Sequence, residues 1–170
     1  MSSGSIFLLA TFSVLFMCLA VSAYSKRPVD AWNYYHFDGQ VFVAGQPADG
    51  VPFVAVRDRT LPVVMTRMSW IEPVPLPAEQ GALAVITYIQ SSTGRLTAGR
   101  GYTPSPGITV TISSGGQTVS SVVSDENGYF VATLAAGSYR ITSGSFSAEA
   151  TLVNGTTTLV PLRTGKRMVD

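Results

Sequence analysis

The densest run of groups able to do chemistry in this chain is "SDENGYF", Ser124 to Phe130. A hydroxyl, two carboxylates and an amide at consecutive positions are oxygen donors of the kind a hard cation takes. A calcium loop needs about six oxygen ligands, and no further acidic cluster stands nearby in the sequence. The competing reading is a corner. Asp125 can accept hydrogen bonds from the backbone two residues on, and Gly128 can take φ > 0. We prefer the structural turn for Asp125 and Gly128, with Phe130 anchoring a core just beyond it.

The remaining chemical groups are sparse. His36 is the single histidine and Cys18 the single cysteine. Such a pair cannot build a blue-copper centre, a zinc site of the usual ligand set, or a Ser-His-Asp arrangement with any margin. Acid–base, nucleophilic and metal chemistry lack their groups. The chain therefore reads as a non-enzyme, with no cofactor and no metal. Lys+Arg 11 against Asp+Glu 10 leaves no basic field for nucleic acid. Charged residues make up 12% of the chain, against about 25% in average soluble proteins. Ser, Thr and Gly carry the polar surface instead, which has an extracytoplasmic flavour.

The elements that would position these groups are strands. "ALAVITYI", Ala82 to Ile89, reads as one. "ITVTIS" places Ile108, Val110 and Ile112 on one face. "TVSSVVS" follows a Gly-Gly turn. "YFVATL" sets Phe130, Ala132 and Leu134 together, and "SYRIT" turns Tyr139 and Ile141 inward. "FSAEATL" alternates Phe146, Ala148, Ala150 and Leu152, and "TTLVPL" closes the set. Seven short strands separated by turn residues predict an antiparallel β-sandwich. The stretch from Ser92 to Gly107 reads as a long turn-rich connection. Upstream, Val41 and Val43 alternate, Phe53 to Val56 make a second run and Leu61 to Met65 a third. "EPVPLPAEQG", residues 72–81, holds three prolines and reads as a stiff connector.

The series "PSPGITVTI…GGQTVSSVVSDENGYFVATLAAGSYRIT" resembles the carboxypeptidase regulatory-like family of small transthyretin-like sandwiches, over about residues 94–162. The family's motifs match at Pro106-Gly107-Ile108, at Thr109 to Thr111, at Asp125 to Phe130 and at Gly137-Ser138-Tyr139. Ala136 stands where the family usually has proline. The resemblance implies the sandwich fold. It implies no activity, since in enzymes that carry such a domain it is not the catalytic part. A transthyretin-like hydrolase would need several histidines. The segments from Gly39 and from Gly94 share a Gly-opened strand and a turn. The first lacks a counterpart of "DENGYF", and we read it as extra strands joined to the one sandwich.

From Met1 to Ser25 no side chain is charged. The run Ile6 to Tyr24 would cover about 28 Å as a helix, close to the roughly 30 Å bilayer core. Two readings compete: a retained transmembrane anchor, and a signal peptide cut after Ala23. The n-region has no Lys or Arg, and the apolar run exceeds the usual signal length, so we favour the anchor. Cys18 lies inside this run. A lipoprotein cysteine would follow a small residue and end the apolar stretch, but Phe16-Met17 precede it and "LAVSA" continues beyond. Lys26 and Arg27 after the helix favour a cytoplasmic body under the positive-inside rule. The envelope character of the body argues the other way, and we expect it on the extracytoplasmic side.

"AWNYYHF" follows at once. Trp32, Tyr34, Tyr35 and Phe37 are expected either at the membrane interface, or packed on the β domain or against a partner. The expected organisation is an anchor at 1–25, a juxtamembrane aromatic segment with extra strands at 26–71, the connector at 72–81 and the sandwich at 82–170. The expected fold is mainly β: a seven-stranded Ig/transthyretin-like sandwich behind one transmembrane helix. The expected function is a non-catalytic accessory subunit held by membrane lipid against a larger membrane or envelope complex. The alternative is a secreted or surface binding module for glycan or protein. The sequon Asn154-Gly155-Thr156 sits in a hairpin turn that explains it without glycosylation.

Overall fold

A computed structural model of the chain describes residues 31–92 and 101–168. The run Ile6 to Tyr24 and residues 93–100 lie outside the described residues. Among the described residues the chain is mainly β and has no helix, so none is long and apolar enough to cross a membrane.

Among the described residues twelve strands occur, against a seven-stranded sandwich with extra strands upstream expected from the sequence. β1 (Asn33–Phe37), β2 (Phe42–Ala44), β3 (Phe53–Val56) and β4 (Val63–Met65) come first. β5 (Gln80–Ser92) and β6 (Tyr102–Pro104) follow. Then come β7 (Thr109–Ser114), β8 (Gln117–Val123), β9 (Tyr129–Ala135), β10 (Gly137–Ser143), β11 (Phe146–Leu152) and β12 (Thr157–Met168). They form three sheets. One is ordered β2-β1-β3-β4 and a second β11-β10-β7-β8. The third has β5 between β12 on one edge and β9 and β6 on the other.

The organising element is β5. Its apolar run has no polar face, as expected of a strand buried on both sides. Leu83 and Val85 point into one core, with Val110, Ile112, Tyr139, Ile141 and Leu152 of the β11-β10-β7-β8 sheet. Ala84, Ile86 and Tyr88 point into a second core, with Phe37 and Val54 of the β1–β4 sheet. The molecule is thus three layers with the β5 sheet in the middle. The pairing of β12 with β5 is parallel, from Thr157↔Ala82 to Met168↔Ser92, with a bulge between Arg163 and Gly165. The sandwich is therefore not wholly antiparallel, in contrast to the antiparallel sandwich expected from the sequence. Parallel neighbours need a long crossover, and here β6 to β11 supply it.

β9 and β6 share one edge of β5 end to end. β9 pairs with Gln80 to Ile86 and β6 with Tyr88 to Gln90. Thr87, fully buried, sits at the splice. Its amide donates to the Gly128 carbonyl (2.7 Å) and its carbonyl accepts from the Ser105 amide (2.8 Å). Its hydroxyl donates to the Ser105 carbonyl at 2.6 Å. Ser124 donates to that same carbonyl (2.9 Å) and accepts from the Ile108 amide (3.0 Å). A break in a buried ladder leaves polar groups that must be satisfied, and these hydroxyls do it.

The proline-rich segment lies alongside the β3–β4 connection. Leu61 donates to the Val74 carbonyl (2.8 Å) and Leu76 to the Arg59 carbonyl (2.9 Å), with a bridge between Thr60 and Pro75. β5 begins within it, at Gln80. In β2 the register is one residue from that expected. Phe42 packs toward the second core, while Val41 and Val43 are 57% and 38% exposed. A one-residue slip sends every side chain to the opposite face.

Candidate interaction surface

"SDENG" forms the corner that feeds β9. One oxygen of Asp125 accepts from the Asn127 and Tyr129 amides, each at 2.8 Å. The Gly128 amide returns to the Asp125 carbonyl (3.0 Å), and the Asp125 amide donates to Tyr129 (2.7 Å). Gly128 has φ 78°. A Cβ there would stand 2.7 Å from the Thr87 carbonyl oxygen. One Asp125 oxygen is thus committed to the backbone, while Glu126 is exposed. Among the described residues no three His, Cys, Asp or Glu side chains come together as a metal site.

The aromatic segment before the first sheet is divided by its own alternation. β1 is a central strand, between β2 and β3, so its side chains go to opposite faces. Phe37 is 1% exposed. Its ring packs on Tyr88 (4.6 Å between centroids) and Tyr102 (4.8 Å) in the second core. Phe37 is a core residue of its strand, so of the expected placements it takes packing on the β body rather than a membrane interface or a partner. Tyr34, half-buried, meets Phe53 edge-on at 5.8 Å on the other face of the sheet. Trp32 is half-buried just before β1. Tyr35 is also half-buried and lines an open cleft of about 520 Å³ between β1–β2 and β12. Its lining includes the polar residues Asn33, Asp58 and Thr157 and the apolar residues Phe42, Val56 and Leu159. His36 is half-buried and its Nδ1 finds no hydrogen-bond partner.

Near Phe37 a second tyrosine pair closes the core. The Tyr102 hydroxyl donates to the Phe37 carbonyl at 3.1 Å. The Tyr129 hydroxyl is buried alongside with no hydrogen bond of good geometry. Burial pushes the Tyr129 phenol well above its usual value, and Tyr102 and Asp125 nearby add to the rise.

The two bulkiest exposed apolar side chains among the described residues, Trp70 and Met68, were not singled out in the sequence, nor was Val74 beside them. Trp70 is 82% exposed, Met68 48% and Val74 49%. All three lie on the segment between β4 and β5. The signal was an indole and a thioether in "TRMSWIEPVP", a stretch with neither strand alternation nor helical period. Thr66, Arg67 and Ser69 of this segment, the strand β4 and the Asp125–Asn127 corner bound an open cleft of about 550 Å³. Among the described residues β4 is an edge strand, paired only with β3.

No protein-family model matches the chain. No curated protein matches it. Among solved structures, it is similar to a minor pilin of the Gram-positive pathogen Streptococcus agalactiae, at 13% identity and a TM-score of 0.38. The alignment covers 76% of this chain and 66% of the pilin chain, just under two thirds of its length.

Proposed function

We propose that the chain is a non-catalytic β protein held at a membrane by residues 1–25. In this reading it serves as an accessory subunit of a larger membrane or envelope complex, with its β body on the extracytoplasmic side. The body is built as an extended carboxypeptidase regulatory-like sandwich, with β1–β4 added as a third layer. The observation that carries the reading is Trp70. Two cores are already closed, yet an indole stands 82% exposed beside Met68. Fully burying a large apolar side chain stabilises by about 1.5–3 kcal/mol. Tryptophan is also the residue most enriched at the energetic centres of protein interfaces. A partner that covers Trp70 gains what the isolated fold leaves unused.

Trp70→Ala in the full-length protein should release its stoichiometric partner after mild detergent extraction, with the melting temperature unchanged. A partner retained at wild-type stoichiometry would overturn the reading. A second reading, a released binding module cut after Ala23, draws on the Tyr35 cleft. Its 520 Å³ lies within the range of small-ligand sites. Saturable binding of a soluble oligosaccharide, abolished by Tyr35→Ala, would favour that alternative.

A further inference from the structure

We infer that the cleft between β4 and the Asp125–Asn127 corner accepts an extended, basic peptide segment of a partner, which adds to the β1–β4 sheet as a fifth strand. This rests on the accessory-subunit reading and specifies how the partner would dock.

The argument starts from the edge. β4 ends the sheet order β2-β1-β3-β4 and pairs with β3 through Val63↔Ala55, Val64↔Val54 and Met65↔Phe53. Among the described residues no strand pairs with its other side, which leaves an edge of the kind that can pair with an added strand. Exposed edges are commonly blunted by being very short, by proline, by a bulge or by a covering loop. β4 is short, at three residues directly after Pro62, so an added strand would pair with it over Val63–Met65 alone. Val63-Val64-Met65 contains no proline, its register with β3 is continuous, and beside it the protein leaves a groove instead of a cover. The groove's volume, about 550 Å³, is of the size that holds a short stretch of chain.

Its walls then set the kind of chain. The wall opposite β4 carries Asp125 and Glu126, with the Asn127 amide beside them. Arg67 is the one cation lining the groove among the described residues. Two carboxylates against one guanidinium leave a net negative wall, which favours Lys or Arg on an incoming strand. Side chains of such a strand alternate between faces. A peptide that alternates basic and β-branched residues would therefore set its cations toward Glu126 and its apolar side chains the other way. Backbone pairing would supply affinity and the alternate side chains specificity. Trp70 follows directly on the groove's Ser69 and gives the partner a large apolar anchor at its mouth.

The corner's rigidity is part of the device. Asp125 is held by two amides and Gly128 is locked under the Thr87 carbonyl. The acidic wall is therefore fixed before any peptide arrives, which limits the ordering cost of binding.

The test uses the full-length protein in mild detergent. The probe is a fluorescein-labelled heptapeptide of alternating Lys and Val, and the readout is fluorescence anisotropy. Saturable binding is expected, at least about tenfold weaker for the Glu/Val counterpart, and weakened about threefold or more by Glu126→Lys. Two further probes carry N-methyl groups on alternate residues, one on each set. Only the set whose amides face β4 should abolish binding, since charge and shape are otherwise kept. Lack of saturable binding by the Lys/Val peptide at millimolar concentration overturns the proposal. So does equal binding by both N-methylated peptides, or no effect of Glu126→Lys. If the peptides fail while Trp70→Ala still releases the natural partner, the accessory reading stands and only this docking mode falls.

Discussion

The carbonyl oxygen of Thr87 lies 2.7 Å from where any side chain at position 128 would begin. Thr87 cannot retreat, because its amide is bonded to Gly128 and its carbonyl to the Ser105 amide. Gly128 also has φ 78°, which a β-branched residue resists. Gly128→Val should therefore destabilise the full-length protein by at least about 2 kcal/mol in a urea titration. Gly128→Ala should also be destabilising, through the same contact. A chelator should leave the melting temperature where it was. A Gly128→Val protein as stable as wild type would show that the corner is not held as described.

The two tyrosines near Phe37 should respond in opposite ways. Tyr102→Phe removes the hydrogen bond to the Phe37 carbonyl and should cost about 1 kcal/mol. Tyr129→Phe removes a buried hydroxyl that makes no good bond, so it should be neutral or stabilising. Denaturation midpoints of the two single variants decide it. Equal losses would mean that the Tyr129 hydroxyl has a partner after all.

The strand pattern was legible where one face is buried and the other wet. Val110 and Ile112, Tyr139 and Ile141, and Ala150 and Leu152 alternate in sequence and share one core. The turn at Asp125–Gly128 was legible too, because its chemistry is local. What could not be read is long-range. Ala82 to Ile89 shows no alternation, since both faces of β5 are covered, and nothing local says that β12 lies parallel beside it. β6 is three residues inside a stretch of turn signals. Tyr34, Tyr35 and Phe37 look like a collar beside an apolar run, yet they occupy the alternating faces of β1. Trp70 stood out by no periodicity, and only its own exposure, with both cores closed without it, marks it.

That division of β1 can be measured. Phe37→Ala opens a cavity in the second core and should cost about 3–5 kcal/mol, enough to threaten folding. Trp32→Ala with Tyr35→Ala should leave a folded protein, since both side chains are only half-buried. If the partner also grips this side, the double variant should weaken its retention. Circular dichroism melting curves separate the two cases. Similar losses for both would place Trp32 and Tyr35 in the core as well.

Asp38 links the fold to pH. Its carboxylate accepts from the Val41 and Gln40 amides at 2.8 Å each, and these bonds hold it below the usual value of 3.8. A carboxyl with a lowered pKa in the folded state contributes stability above its unfolded pKa. That contribution is lost as pH falls through the folded value. Below about pH 4 the wild type should therefore lose stability more steeply than Asp38→Ala. Parallel stability curves from pH 5 to 2.5 would remove Asp38 from the account.

The most direct test of the central claim is the native mass of the full-length protein after mild detergent extraction. An accessory subunit predicts one assembly that contains this chain with residues 1–24 intact and a second protein in fixed ratio, and predicts that Trp70→Ala dissociates it. A lone chain that begins at Tyr24, with the same mass for wild type and Trp70→Ala, would contradict both the anchor and the docking role.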